Sequence, residues 1–145
     1  MIRDILSSDR ENFLEMQKGF YSSDAVAENV DFKNFEKTFD LALNKSPLVR
    51  ILMIEDDGNP IGYGILAFMH SNEFGGTLVL IEELYIDGLH RSKGYGSKFF
   101  DFLEKEYIQA KQLRLEVRKD NERAIKLYHS MGYRILEYVQ MVKDI

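Results

Sequence analysis

Glu82 and Glu83 interrupt a run that is otherwise apolar, with Leu78-Val79-Leu80-Ile81 before them and Leu84-Tyr85-Ile86 after. Successive side chains of a strand point to opposite faces, and here both faces are apolar. At least one carboxylate therefore lies on a covered face, where an unpaired charge is costly and the pKa rises. A cationic amine would relieve that cost, and a raised carboxylate suits a general base. A sheet-end pair bridged to an Arg or Lys would account for the same residues without chemistry.

Past this run stands Arg91-Ser92-Lys93-Gly94-Tyr95-Gly96-Ser97, between a strand and an amphipathic helix. Glycines at a strand-to-helix turn let the backbone come close to a ligand. The first-turn N–H groups then point outward at the positive end of the helix dipole, a ready anion site for a pyrophosphate. Arg91 and Lys93 add full charges beside it. Spacing alone leaves a tight turn with solvated basic residues as an equal account. A dinucleotide fingerprint would need a third glycine where Phe99 stands, and an ATP-type loop would need a Gly-Lys-Ser/Thr that is absent.

Tyr128 carries a phenol with a pKa of about 10, a group able to give up a proton. Ala124, Leu127, Tyr128 and Met131 also form an i, i+3, i+4, i+7 stripe, so a core tyrosine with a satisfied hydroxyl fits the same spacing. His70, His90 and His129 are scattered, with no metal-ligand spacing, and His70 at a strand end is a minor base candidate. Tyr21, Asp24 and Glu28 would line an acceptor pocket, although loop polarity explains them equally well.

These residues need a sheet and helices to hold them. Residues 2–6 read as a first strand. Ser8 or Asp9 would cap a helix over 11–20, with Phe13, Leu14, Met16, Gln17 and Phe20 as its stripe. A loop over 22–29 leads to a second helix over 32–43, marked by Phe32, Phe35, Phe39 and Leu43. Strands over 49–54 and 60–69 flank the hairpin turn Asp57-Gly58-Asn59. The longest apolar strand spans 77–86. A helix opens at Gly94-Tyr95-Gly96 and runs to about residue 110, a short strand covers 113–117, and a helix covers 121–131, stopped by Gly132. Residues 133–143 are read as one or two final strands. Early hairpins and late βα crossovers predict a mixed sheet in a single domain.

The bulk properties bound the function. The chain has 145 residues, 45% of them apolar and 30% charged, which is ordinary globular composition. It has no cysteine, which excludes disulfides, thiolate metal sites and covalent catalysis through an enzyme thiol. The net charge of −5 without basic runs disfavours nucleic acid and sits well with a cationic small substrate. No export signal and no membrane span are read, so a cytoplasmic location is expected.

The run IEELYIDGLHRSKGYGSKFFDFLEKEY resembles the acetyl-CoA-binding core of the GNAT superfamily of acyl-CoA N-acyltransferases, whose Q/R-x-x-G-x-G/A falls here on Arg91 to Gly96. A second block, LRLEVRKDNERAIKLYHSMGY, is similar to the next family segment through Asn121, Ala124, Tyr128, Gly132 and Tyr133. The resemblance implies an α+β fold: a mixed, mostly antiparallel sheet flanked by helices, with parallel strands splayed at the acetyl-CoA site. It implies an acceptor-shaping half over about 1–76 and a core over about 77–133 of one domain, 1–145.

It also implies the site. The backbone of Leu84, Tyr85 and Ile86 would hold the pantetheine arm. Ser92, Lys93, Gly94, Tyr95, Gly96 and Ser97, with Arg91, would hold the pyrophosphate. Asn121 and Ala124 would line the CoA arm, although Asn121 is equally a suitable N-cap. Glu82 matches the acidic residue that touches the substrate amine in polyamine and other small-amine members, and is weighted above Glu83. Tyr128 would protonate the departing thiolate. The activity implied is acetyl transfer from acetyl-CoA, without a metal, to a primary amine by direct attack in a ternary complex. A non-catalytic acyl-CoA-binding module and a protein or peptide N-acetyltransferase are the alternatives. Family members are often dimers, but no residue identifies an interface, and neither nucleic acid nor membrane is expected as a partner.

Overall fold

A two-residue turn, Asp57-Gly58, joins β2 (Val49–Asp56) to β3 (Asn59–Ser71). Both turn residues have positive φ, 48° and 79°, the conformation whose twist matches a hairpin. The computed structural model describes residues 1–22 and 30–145. The remaining strands are β1 (Ile2–Asp4), β4 (Gly76–Ile86) and β5 (Gln112–Leu115), and the sheet order is β1-β2-β3-β4-β5. The first three pairings are antiparallel and β4–β5 is parallel. This is the mixed, mostly antiparallel α+β architecture that the element order predicts.

Helices cover both faces. Ile51, Met53, Tyr63 and Ile65 face α1 (Arg10–Tyr21) and α2 (Lys33–Leu43), where Phe13 and Phe39 complete a core. Leu52, Ile54, Leu66, Val79 and Ile81 face the other way, against Phe99, Phe100 and Leu103 of α3 (Tyr95–Glu106). Tyr128 and Met131, from α4 (Glu122–Ser130) and its C-terminal cap, pack on that second core. Adjacent β2 residues enter opposite cores, as a two-sided buried strand requires. Gly64 leaves room for the Phe99 ring, since a Cβ there would collide with it, so α3 lies close against β3.

Several expectations need correction. No strand follows α4 among the described residues, although one or two are expected over 133–143. Val139, Met141 and Val142 are 87%, 95% and 89% exposed. Apolar, β-branched and aromatic content permits a strand, but a strand exists only where a neighbouring edge supplies hydrogen bonds. Asp9 does stand at the N-cap of α1 but caps no helical amide. Its carboxylate is taken by the Leu6 N–H, at 2.7 Å, and by Arg3. β1 stops at Asp4, and α3 stops at Glu106 rather than near residue 110.

Candidate active site

The β3–β4 ladder loses one step. Ile65 lies opposite Glu83 and Leu66 opposite Ile81, which leaves Glu82 as an extra residue. Such a bulge resets the side-chain alternation of its strand. Ile81 faces α3, and in a regular strand Glu83 would share that face. The inserted Glu82 turns Glu83 and Tyr85 toward α1 instead, while Leu84 and Ile86 keep the α3 side.

The two carboxylates are therefore separated by function of place. Glu83 is buried, and Gln17 Nε2 and Tyr63 OH donate to its Oε2 at 2.7 and 2.9 Å. Tyr21 OH donates to its Oε1. Glu82 has an exposed side chain, yet its carboxyl is pushed up from the usual range by lost hydration, then by Glu83 and Glu116. No Arg or Lys bridges either carboxylate among the described residues, so the ion-paired account fails.

Beyond the bulge β4 loses its second neighbour. Its parallel ladder with β5 runs from Leu78–Gln112 to Ile81–Leu115 and stops, whereas its pairing with β3 continues to Ile86–Gly62. Among the described residues, the edge of residues 82–86 that faces away from β3 has no strand beside it. The carbonyl of Ile86 accepts instead from Arg91 Nε at 2.8 Å, and the Arg91 guanidinium lies 5.8 Å over the Tyr85 ring. Arg91 thus reaches back to the strand end rather than toward the glycine turn. Tyr85 also stacks on Tyr63, at 5.7 Å.

That strand end leads through a short 3-10 turn into the glycine segment. Ser92 has φ 63° and Gly94 φ 85°, a left-handed region that favours glycine. Gly94 is the N-cap of α3, and its carbonyl accepts from Lys98 N at 3.0 Å. Among the described residues no amide of residues 92–97 donates to a protein acceptor. A Cβ on Gly94 or Gly96 would meet nothing within 4 Å, so the cradle is open rather than plugged. Unpaired amides at a helix N-terminus beside Lys93 fit a diphosphate. Tyr95 instead turns inward against the second core, and the Lys98 ammonium lies 5.2 Å over its ring.

Asn121 does cap α4, its side-chain oxygen accepting from Ala124 N at 3.2 Å. Tyr128 is half-buried and packs 5.7 Å from Phe100 and 6.0 Å from Tyr133. Its hydroxyl has no hydrogen-bond partner among the described residues, and burial raises its pKa. The Tyr133 hydroxyl is buried without a partner, its pKa pushed up to about 12.

The structure thus joins the bulge, the free strand edge and the glycine turn along one continuous stretch. His70 stands apart, opposite Thr77 near the far end of the β3–β4 hairpin. Asp24 and Glu28 lie outside the described residues, whereas Tyr21 is placed on Glu83. Gln17 and Tyr63 were not legible as site residues. The one signal was a polar Gln17 within an apolar helical stripe, which implies a buried partner.

The sequence from residue 8 to 133 matches the model of the "Acetyltransferase (GNAT) family". No curated relative matches. Among solved structures, a "possible acetyltransferase" from Clostridium difficile 630 superposes with a TM-score of 0.87 at 16% identity, covering 100% of this chain and 97% of that one. An integron cassette protein from the mobile metagenome of Cole Harbour Salt Marsh gives 0.82 at 18%, with 99% and 90% covered. A ribosomal-protein-alanine N-acetyltransferase from Brucella melitensis biovar Abortus 2308 gives 0.76 at 19%, with 100% and 99% covered. These likenesses show a shared fold.

Proposed function

Because the chain belongs to the GNAT acetyltransferase family, we propose that it moves an acetyl group from acetyl-CoA to a primary amine, by direct attack in a ternary complex, and that the acceptor is a small cationic amine. The observation that carries this reading is the continuity of a free β4 edge with an open row of helix N-terminal amides. A bound acetyl-CoA would supply the activated acetyl group as its thioester. The edge of Leu84, Tyr85 and Ile86 offers backbone groups for an extended arm, and the amides from Ser92 to Ser97 offer donors for a diphosphate. Lys93 adds charge there. Asn121 caps α4 through its side-chain oxygen, its Nδ2 has no protein partner among the described residues, and Asn121 and Ala124 would line the CoA arm.

The acceptor must be neutral to attack, although an alkyl amine holds its proton up to a pKa of about 10.4. Glu82 stands on the bulge with a raised carboxyl, so it accepts that proton more readily than an ordinary glutamate. Glu82, Glu83 and Glu116 together favour a cation near the bulge. Tyr128 keeps its hydroxyl proton at neutral pH because burial raises its pKa, and with no partner it is free to donate.

Release of free CoA thiol from acetyl-CoA across an amine panel tests the reading. The panel contains diamines, polyamines, amino acids and a peptide with a free N-terminal alanine. Turnover with small cationic amines supports it. Turnover with the peptide alone gives the acceptor as a protein N-terminus, and tight CoA binding without any turnover gives a binding module.

A further inference from the structure

Glu83 is the one carboxylate near the bulge that water does not serve, and three neutral donors from two elements converge on it. Gln17 and Tyr21 come from α1, one helical turn apart, and Tyr63 comes from β3. The contacts span 66, 62 and 20 residues of sequence. They join a helix and two strands at the rung where β4 changes face. A buried carboxylate with its donors supplied in fixed positions tolerates little displacement, because each lost bond leaves a desolvated group. Sliding β4 by one residue would point Glu83 away from α1 and carry Glu82 toward it. The register is thus coupled to a polar bond set rather than to apolar packing alone.

We infer that Glu83 is a positioning residue: its hydrogen bonds to Gln17, Tyr21 and Tyr63 lock the bulge of β4, and it is the acidic neighbour set beside Glu82 there. The inference rests on the reading of Glu82 as the acceptor-side carboxylate, and it assigns the neighbouring glutamate a different task. The groups that face Glu82 are Glu83 on its own strand and Glu116 beyond β5, both acidic, and the Tyr21 phenol on α1. Those that face Glu83 are Gln17 and Tyr21 on α1 and Tyr63 on β3, all neutral donors. Replacing Glu83 by a neutral side chain therefore removes a negative neighbour from Glu82 and supplies no cation in return. The Glu82 midpoint must fall.

The test is a carboxyl-13C titration of Glu82 in the full chain, with amide hydrogen exchange, for wild type and Glu83→Gln. The expected result is a Glu82 midpoint lower by about half a pH unit or more, together with faster exchange at Glu83 and Ile65. The rungs from Leu78 to Ile81 keep their protection. An unchanged midpoint in a folded Glu83→Gln protein overturns the inference, since a purely structural role would not move that titration. Should Glu83→Gln fail to fold, Tyr21→Phe decides through exchange alone. It removes one half-buried donor and keeps both carboxylates, and it is expected to speed exchange at Ile65 and Glu83 at least about tenfold. Unaltered exchange there overturns the lock. Neither readout needs CoA or an amine, so a wild type that binds no CoA defeats the proposed function while this result still stands or falls by itself.

Discussion

Ile81 and Leu115 form the last rung between β4 and β5, although β4 runs on to Ile86 against β3. Everything that makes the site possible follows from that early parting. Strands that stay paired offer no backbone to a ligand, whereas an edge of five residues, 82–86, offers alternate donors and acceptors on a rigid support.

Gly96→Val separates folding from ligand binding. A Cβ at Gly96 meets nothing within 4 Å, so the variant folds, with a stability change of no more than about 1 kcal/mol. The added side chain occupies the cradle instead. We expect the thermal shift that CoA gives the wild type to vanish, read by differential scanning fluorimetry. Full protection of the variant would remove these amides from the binding site.

Tyr128→Phe deletes a hydroxyl that no protein group among the described residues satisfies. The ring contacts with Phe100 and Tyr133 remain, so unfolding free energy changes by less than about 1 kcal/mol. On the proposed mechanism kcat falls by about 10²-fold or more, while the Kd for CoA holds. Loss of the native fold would instead make Tyr128 a core residue only.

Glu82→Gln has a signed pH signature. Lost hydration and two acidic neighbours raise the Glu82 carboxyl above its unfolded value. Between those two values the folded state holds more protons than the unfolded state, so stability drops as pH rises through that window. At neutral pH the charge opposes folding. The variant should therefore melt higher than wild type at pH near 7, and the gain should close below about pH 4.3, the ordinary Glu value. Its amine acetylation should fall at every pH where wild type is active. A lower Tm for the variant at neutral pH would contradict the raised carboxyl.

Arg3→Ala probes the opposite end of the sheet. Arg3 bridges Asp9 and Glu55, whose side chains are each only 5% exposed. Its removal leaves both carboxylates buried without their cation, Asp9 keeping only the Leu6 N–H, a cost of about 3–5 kcal/mol by urea unfolding. The hydrogen bond from Arg3 holds the Asp9 carboxyl below its usual range. Its contribution is thus complete above the unfolded aspartate pKa of about 3.9 and disappears as pH falls through the lower folded value. The advantage of wild type over Asp9→Asn should shrink in that acid window. A loss under about 1 kcal/mol for Arg3→Ala would mean that water already serves both carboxylates.

Local chemistry was the legible part of the fold. The Asp57-Gly58 turn, the Asn121 cap and the apolar stripe of α3 each depend on residues within a few positions of one another, and each stands where its pattern placed it. The glycine turn was legible for the same reason. Glu83 illustrates what was not. That one of the two carboxylates is buried follows from a strand apolar on both faces, but which one, and the face it points to, depends on a bulge, and its partners come from α1 and β3. The segment after Tyr133 shows the reverse error, since a strand is expected there and Ile135, Tyr138 and Val142 remain exposed. Sequence periodicity describes one strand, whereas pairing needs two.

Backbone amide shifts recorded during a CoA titration of the 15N-labelled chain give the sharpest trial of the account. Residues 84–86 and 92–97 should move first and furthest, saturating together with one Kd. Shifts confined to other surfaces, or a spectrum that CoA leaves unaltered at saturating concentration, would show that the open cradle at Gly94 and Gly96 does not receive the diphosphate.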